Sequence, residues 1–123
     1  MSPEGEQAEL LLRKARDDQA AIVRFAADVE TADGIIGFHA QQAAEKSLNA
    51  VLAAHGDDFP WTHDLQLLLR RLSEVGIETP EEVTNARRLS PWAVEFRYGE
   101  VIDDALDRPA VVALVAEVVG YLR

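Results

Sequence analysis

An all-α, up-and-down helical bundle is the fold class this sequence predicts, and three observations carry the prediction. Apolar residues recur at intervals of three and four through successive segments. No stretch alternates convincingly as a half-buried strand does. The breaks are short and built from residues that stop or start helices, which makes antiparallel neighbours the natural arrangement. With 123 residues, 48% hydrophobic and 28% charged, the chain fits one domain spanning 1–123 around one core.

The spacing of Leu11, Ala15, Ile22, Ala26 and Val29 predicts a first helix from about Glu6 to Val29. Arg13, Lys14, Arg16, Asp17 and Arg24 lie mostly off that stripe. "ETADG" ends it. A second helix is predicted from near Gly34 to His55, with Gly56 as a left-handed terminator and "GDDFPW" as the loop that follows. In "WTHDLQLLLRRLSEVGI", Thr62 is the expected N-cap and Asp64 complements the helix dipole. Leu65, Leu68, Leu69 and Leu72 form the buried stripe, and Gly76 is the stop.

"TPEE" predicts a fourth helix capped by Thr79, with Pro80 at its first position and Glu82 closing a capping box. It should reach about Tyr98 with Leu89, Trp92 and Phe96 on one side, and Pro91 implies a kink or a restart capped by Ser90. Asp107 and Pro109 open the last helix, along which Val111, Val115, Val118 and Leu122 repeat. Two long helices, two medium ones and a closing helix make the bundle.

Charge and composition exclude several functions. A net charge of −10 repels phosphate backbones, so general DNA binding is not expected. The charge is uneven: residues 70–97 hold five arginines and five glutamates, leaving the whole −10 to the rest of the chain. A local cationic patch is compatible with that, as are solvated helix faces. Without cysteine there is no disulfide, thiolate nucleophile or thiolate-bound metal. No Glu-x-x-His, His-x-x-x-His or His-x-His pair occurs, so no metal or other cofactor is expected. Gly-rich phosphate loops and Gly-x-Ser-x-Gly are likewise missing. The N-terminal stretch has no secretory pattern, and "AVVALVA", the longest apolar run, is too short for a bilayer, so a cytoplasmic, membrane-free protein is expected.

Two stretches carry polar residues that could serve a site. On a wheel of about 100° per residue, Ile36, Ala40, Ala43, Ala44, Leu48, Val51 and Leu52 share one side of the second helix, while His39, Gln42 and Lys46 fall within about 60° of one another opposite. Gln41 lies at the edge of the apolar arc. The plainer account has Gln42, Glu45, Lys46 and Asn49 coating a surface and Gln41 bonding a neighbouring helix. In "PWAVEFRYGE", Arg97 could hold an anion through its guanidinium fork while Tyr98 stacks or hydrogen-bonds. Equally, Arg97 could pair with Glu95 or Glu100 and Tyr98 pack against a neighbouring helix.

Taken together, "FHAQQAAEKSLNAVL", "THDLQLLLRRL" and "LSPWAVEFRYGE" resemble the prokaryotic HEPN domain, over nearly the whole chain and in the family's order. The resemblance implies four main helices plus a shorter one, a homodimer, and genomic pairing with a minimal nucleotidyltransferase in toxin–antitoxin-like modules. It also brings the ribonuclease signature of the wider superfamily into question: Arg, four to six residues, then His. Here the windows before His39, His55 and His63 (Ala32–Gly34, Leu48–Ala50 and Gly56–Asp58) hold no arginine, and no histidine follows Arg97. No catalytic residue is therefore assigned. What the resemblance implies instead is a nucleotide-binding or partner-docking component. Its matching ligand positions are His39, Gln42 and Lys46 of the second helix, His63 and Asp64 at the start of the third, and Arg97 and Tyr98. A ribonuclease with an atypical His–Arg pair and a purely structural dimerisation module are the alternatives.

Overall fold

The computed structural model describes residues 2–93 and 106–121. Among them the regular structure is helical: α1 (Pro3–Phe25), α2 (Asp33–Ala54), α3 (Leu65–Glu74), α4 (Glu81–Thr84) running into a 3₁₀ segment (Asn85–Trp92), and α5 (Arg108–Gly120). The all-α bundle expected from the periodicity is what forms.

The ends of α1 differ from the expected span. Ser2 Oγ accepts from Gly5 N at 3.0 Å and Pro3 fills the first turn, where its missing N–H costs nothing, so the helix starts before Glu6. It stops at Phe25 because Asp28 offers the backbone another arrangement. The carboxylate accepts from Glu30 N and from the Thr31 hydroxyl, each at 3.0 Å. Those two donors, the backbone one foremost, hold the Asp28 carboxyl below its ordinary value. Val29, expected on the buried stripe, is 92% exposed as a result.

Glycine ends two helices. Gly56 (φ 74°) follows α2, with Asp57 N donating to Leu52 O at 2.9 Å, and Gly76 (φ 86°) follows α3, with Ile77 N donating to Leu72 O at 2.9 Å. The N-cap of α3 is Asp64, whose Oδ1 accepts from Gln66 N at 3.0 Å. Thr62, the expected cap, sits just outside and accepts from Asp64 N.

The expected fourth helix is not a continuous α-helix. Pro80 occupies the cap position and no side chain caps it, so the predicted box of Thr79 and Glu82 is absent. The Thr79 hydroxyl instead pairs with that of Thr84 at 3.2 Å. After a single α-turn the chain tightens into the 3₁₀ segment. Pro91 has no N–H to give, and its ring would crowd the carbonyl four residues back in an α-helix. Ser90 caps a different helix: its Oγ accepts from Leu65 N, at the start of α3, at 3.0 Å. Phe96 and Tyr98, at the end of the expected helix, lie outside the described residues, as does Leu122. α5 opens as expected, with Asp107 Oδ1 accepting from Ala110 N at 3.1 Å.

α2 is the centre of the bundle, touching α1, α3, the 3₁₀ segment and α5. No residue from Asp33 to Ala53 is fully exposed. Its alanines let neighbours approach closely, and Ile36, Leu48 and Leu52 fill the core with Ile22, Leu65, Leu68, Leu72, Val115 and Val118. α1 runs antiparallel along it, Phe25 lying near His39 and Asp18 near Lys46. At Gly37 the Trp92 ring lies so close that a Cβ would come within 2.4 Å of it, so glycine is required there.

Two arginines lock the connections. Arg71 grips Asp57 with Nη2–Oδ2 at 2.6 Å and Nε at 3.1 and 3.2 Å, fixing the loop after α2; that pairing raises the guanidinium above its ordinary pKa. Arg108, at the start of α5, reaches back to the α1–α2 corner. Its guanidinium donates to Asp33 Oδ1 (3.0 Å), Thr31 O (2.6 Å), Asp28 O (2.9 Å), and Phe25 O and Ala26 O (each 3.4 Å).

Candidate functional site

The site grows from one residue out of place. Leu11, Ala15, Ile22 and Ala26 trace the inner face of α1, and Asp18 lies on the same face, seven residues after Leu11 and four before Ile22. Its side chain is only 12% exposed. A carboxylate taken that far from water needs donors, and α2 supplies two. His39 Nδ1 lies 2.9 Å from Oδ1, and Lys46 Nζ 2.6 Å from Oδ2. They are seven residues apart, two helical turns, so both reach the same point from one face of α2.

A carboxylate oxygen only accepts, so His39 Nδ1 carries the hydrogen and Nε2 is the nitrogen left for other work. The imidazole is 29% exposed and Lys46 25%, which leaves the cluster half open to solvent. Two rings bracket the histidine: Phe38 edge-on at 5.5 Å between centroids and Phe25 tilted at 6.2 Å. Asp18 uses one of the three Lys46 donors, and the formal charges of the two cancel.

A second polar chain runs alongside on α2. Gln42 Nε2 donates to Gln41 Oε1 at 2.7 Å, and Gln41 Nε2 donates to Glu45 Oε1 at 3.0 Å and to His63 O at 3.1 Å. His63 Nδ1 closes it on Glu45 Oε1 at 2.7 Å. Gln41 is completely buried, Glu45 is 12% exposed and the His63 side chain 65%. The connection from α2 to α3 is thus tied back to the middle of α2 by an amide and a carboxylate.

Of the residues expected to form a site, His39 and Lys46 meet at Asp18, and Gln42 lies between them along the helix. His63 belongs to the neighbouring chain of bonds, and Asp64 is engaged in capping α3. Arg97 and Tyr98 lie outside the described residues. The surface-coating account of the α2 polar residues does not describe what forms, since Gln42, Glu45 and Lys46 are half-buried and Asn49 is buried. Sequence reasoning missed Asp18, Glu45 as a partner of His63, and Arg108. Only Asp18 left a signal, an acid at a stripe position. Asn49 Oδ1 and Ser47 Oγ are buried without a partner among the described residues.

A separate cavity of about 670 Å³ lies between the 3₁₀ segment and α5, with Arg88, Leu89, Trp92 and Leu114 in its wall. Among the described residues, Glu82, Asp107 and Glu117 also line it, against Arg88 as the basic one. Among the described residues no three of His, Asp and Glu are arranged to hold a metal ion, and no helix is long and apolar enough to cross a membrane.

The family model for the HEPN domain matches residues 8–122, a span that takes in most of α1 and all of the helices after it. The chain belongs to the HEPN domain family. The polar seam of this HEPN domain therefore sits between its two longest helices, built from the stretch "FHAQQAAEKSLNAVL" and an acid of α1. No curated protein and no solved structure gives a significant match to the chain.

Proposed function

We propose that this HEPN domain is a non-catalytic, cytoplasmic component of a two-gene, toxin–antitoxin-like system, a homodimer that binds a nucleotide and docks a minimal nucleotidyltransferase. The observation that carries the reading is the convergence of His39 and Lys46 at a half-open seam, with Gln42 beside them. Two Lys46 donors are left for a phosphate oxygen, and Gln42 offers an amide edge. To these the HEPN resemblance adds Arg97, a guanidinium suited to phosphate, and Tyr98, with a ring to stack a base or a hydroxyl for modification by the partner. The missing Arg-to-His signature supports a role without RNA cleavage.

Calorimetric titration with ATP tests the binding half. Heat that is lost in both Arg97→Ala and Lys46→Ala is expected; its absence in the wild-type protein refutes nucleotide binding. Co-expression with the nucleotidyltransferase encoded beside the gene tests the docking half, and failure of the two to co-purify refutes it.

A second reading has one observation in its favour. A carboxylate bonded to the inner nitrogen of an imidazole is the arrangement that orients a histidine for proton transfer, and Asp18 holds His39 that way. Cleavage of RNA that disappears in His39→Ala would make the domain a ribonuclease; no cleavage by the wild-type protein removes this alternative.

A further inference from the structure

The loop between α2 and α3 carries a tryptophan that no contact among the described residues uses. Trp61 is fully exposed, at 103% of its reference surface, while the residues on either side are held down. Asp57 is gripped by Arg71, and Phe59 packs against the core. Beyond the tryptophan, the Thr62 hydroxyl accepts from Asp64 N, and His63 is tied to Gln41 and Glu45. A loop fixed at Asp57, Phe59 and His63 keeps its indole in solvent instead of letting it collapse onto the core. Large amphipathic rings presented at little cost in conformational entropy are what dominate protein interfaces.

The charge around the ring selects the partner. Between Gly56 and Leu69 there is no lysine or arginine, whereas Asp57, Asp58 and Asp64 are all acidic. Asp57 is spent on Arg71, which leaves the exposed Asp58, three residues before Trp61, and Asp64, three residues after it, whose Oδ1 also caps α3. A nucleic acid is repelled here. A second copy fits poorly too: a two-fold contact through this face sets carboxylates against carboxylates in molecules that each carry −10. A cationic partner satisfies both features, because guanidinium groups stack on indole faces and pair with carboxylates.

We propose that Trp61 anchors a docking surface for a basic protein partner, one with an apolar slot for the indole and arginine side chains at its rim. The surface uses none of the residues that meet at Asp18 and requires only that the chain has a protein partner, as the two-gene reading also does. Nucleotide titration does not bear on it, so the two can fail separately.

The test uses the full chain and a labelled hexa-arginine peptide, followed by fluorescence anisotropy at physiological salt. Trp61→Ala is expected to weaken binding at least tenfold and Trp61→Phe less. Asp58→Asn with Asp64→Asn, which keeps the α3 cap, should weaken it and flatten its salt dependence. Because the indole is fully exposed, Trp61→Ala should melt within about a degree of wild type, which separates docking from folding. No binding of the peptide, or equal binding by Trp61→Ala, overturns the proposal. So does a self-associating wild type that Trp61→Ala renders monomeric in sedimentation, or single-stranded RNA binding that Trp61→Ala abolishes.

Discussion

Replacing Arg108 by alanine should destabilise the domain more than any other single surface change. The guanidinium serves five acceptors from four backbone carbonyls and one carboxylate, and with it α5 clasps the corner where α1 becomes α2. Water can replace the bonds to Phe25 O and Asp28 O, which are exposed. It cannot so readily replace those to Thr31 O and Asp33 Oδ1, which are partly buried and short, at 2.6 and 3.0 Å. At about 1.5 kcal/mol for each of these two charge-assisted bonds, discounted for the 39% exposure of Asp33 and increased by the lost packing of the Arg108 stem, the loss comes to about 2–3 kcal/mol. Unfolding entropy of about 2.1 cal/mol/K per residue makes 1 kcal/mol worth about 4 °C for 123 residues, so Tm should fall by about 8–12 °C. Arg108→Lys keeps the charge but reaches fewer acceptors, and should recover less than half of the loss. Thermal melts followed by far-ultraviolet circular dichroism measure both. An alanine variant melting within about 2 °C of wild type refutes the argument that the fork holds the corner.

Three further outcomes follow from contacts elsewhere. Gly37→Ala drives a methyl to within 2.4 Å of the Trp92 ring, so it should cost about 1–3 kcal/mol and expose the indole, read as a red shift in Trp emission. Asp18→Asn leaves Lys46 half-buried without its counter-charge and should cost about 1–3 kcal/mol in urea unfolding; adding Lys46→Met should restore part of it, since two removed charges leave none unpaired. Asp28 is held below its ordinary value, so its contribution is present above the unfolded carboxylate pKa and is lost as pH falls through the lower folded value. The stability difference between wild type and Asp28→Ala should therefore be constant near neutrality and vanish in strong acid; a difference that grows with acidification contradicts the assignment.

Local chemistry was readable from the chain, and contacts between distant segments were not. Gly56 and Gly76 announce the ends of α2 and α3 because a left-handed residue is a property of the turn itself. The leucines of α3 and the valines of α5 fall on their buried faces because periodicity alone fixes a stripe. The capping box at Thr79 failed because Pro80 took the cap position and the hydroxyl found Thr84 instead. Ser90 looked like a local cap and is a tertiary one, a distinction that no window of neighbouring residues contains. At the seam, His39, Gln42 and Lys46 could be grouped from the wheel, yet Asp18, where His39 and Lys46 meet, lies on another helix. Its position on the stripe was a visible anomaly, whereas the Glu45–His63 pairing and the reach of Arg108 depend on how loops return.

The enclosure of α2 bears on how such a domain can change over time. A helix with one wet side can trade residues there without penalty, but from Asp33 to Ala53 every residue of this one is at least partly buried, glutamines and lysine included. New specificity is therefore expected to arise by altering α1 and the loops that press on it, since those can vary singly while the central rod is rewritten only in matched pairs.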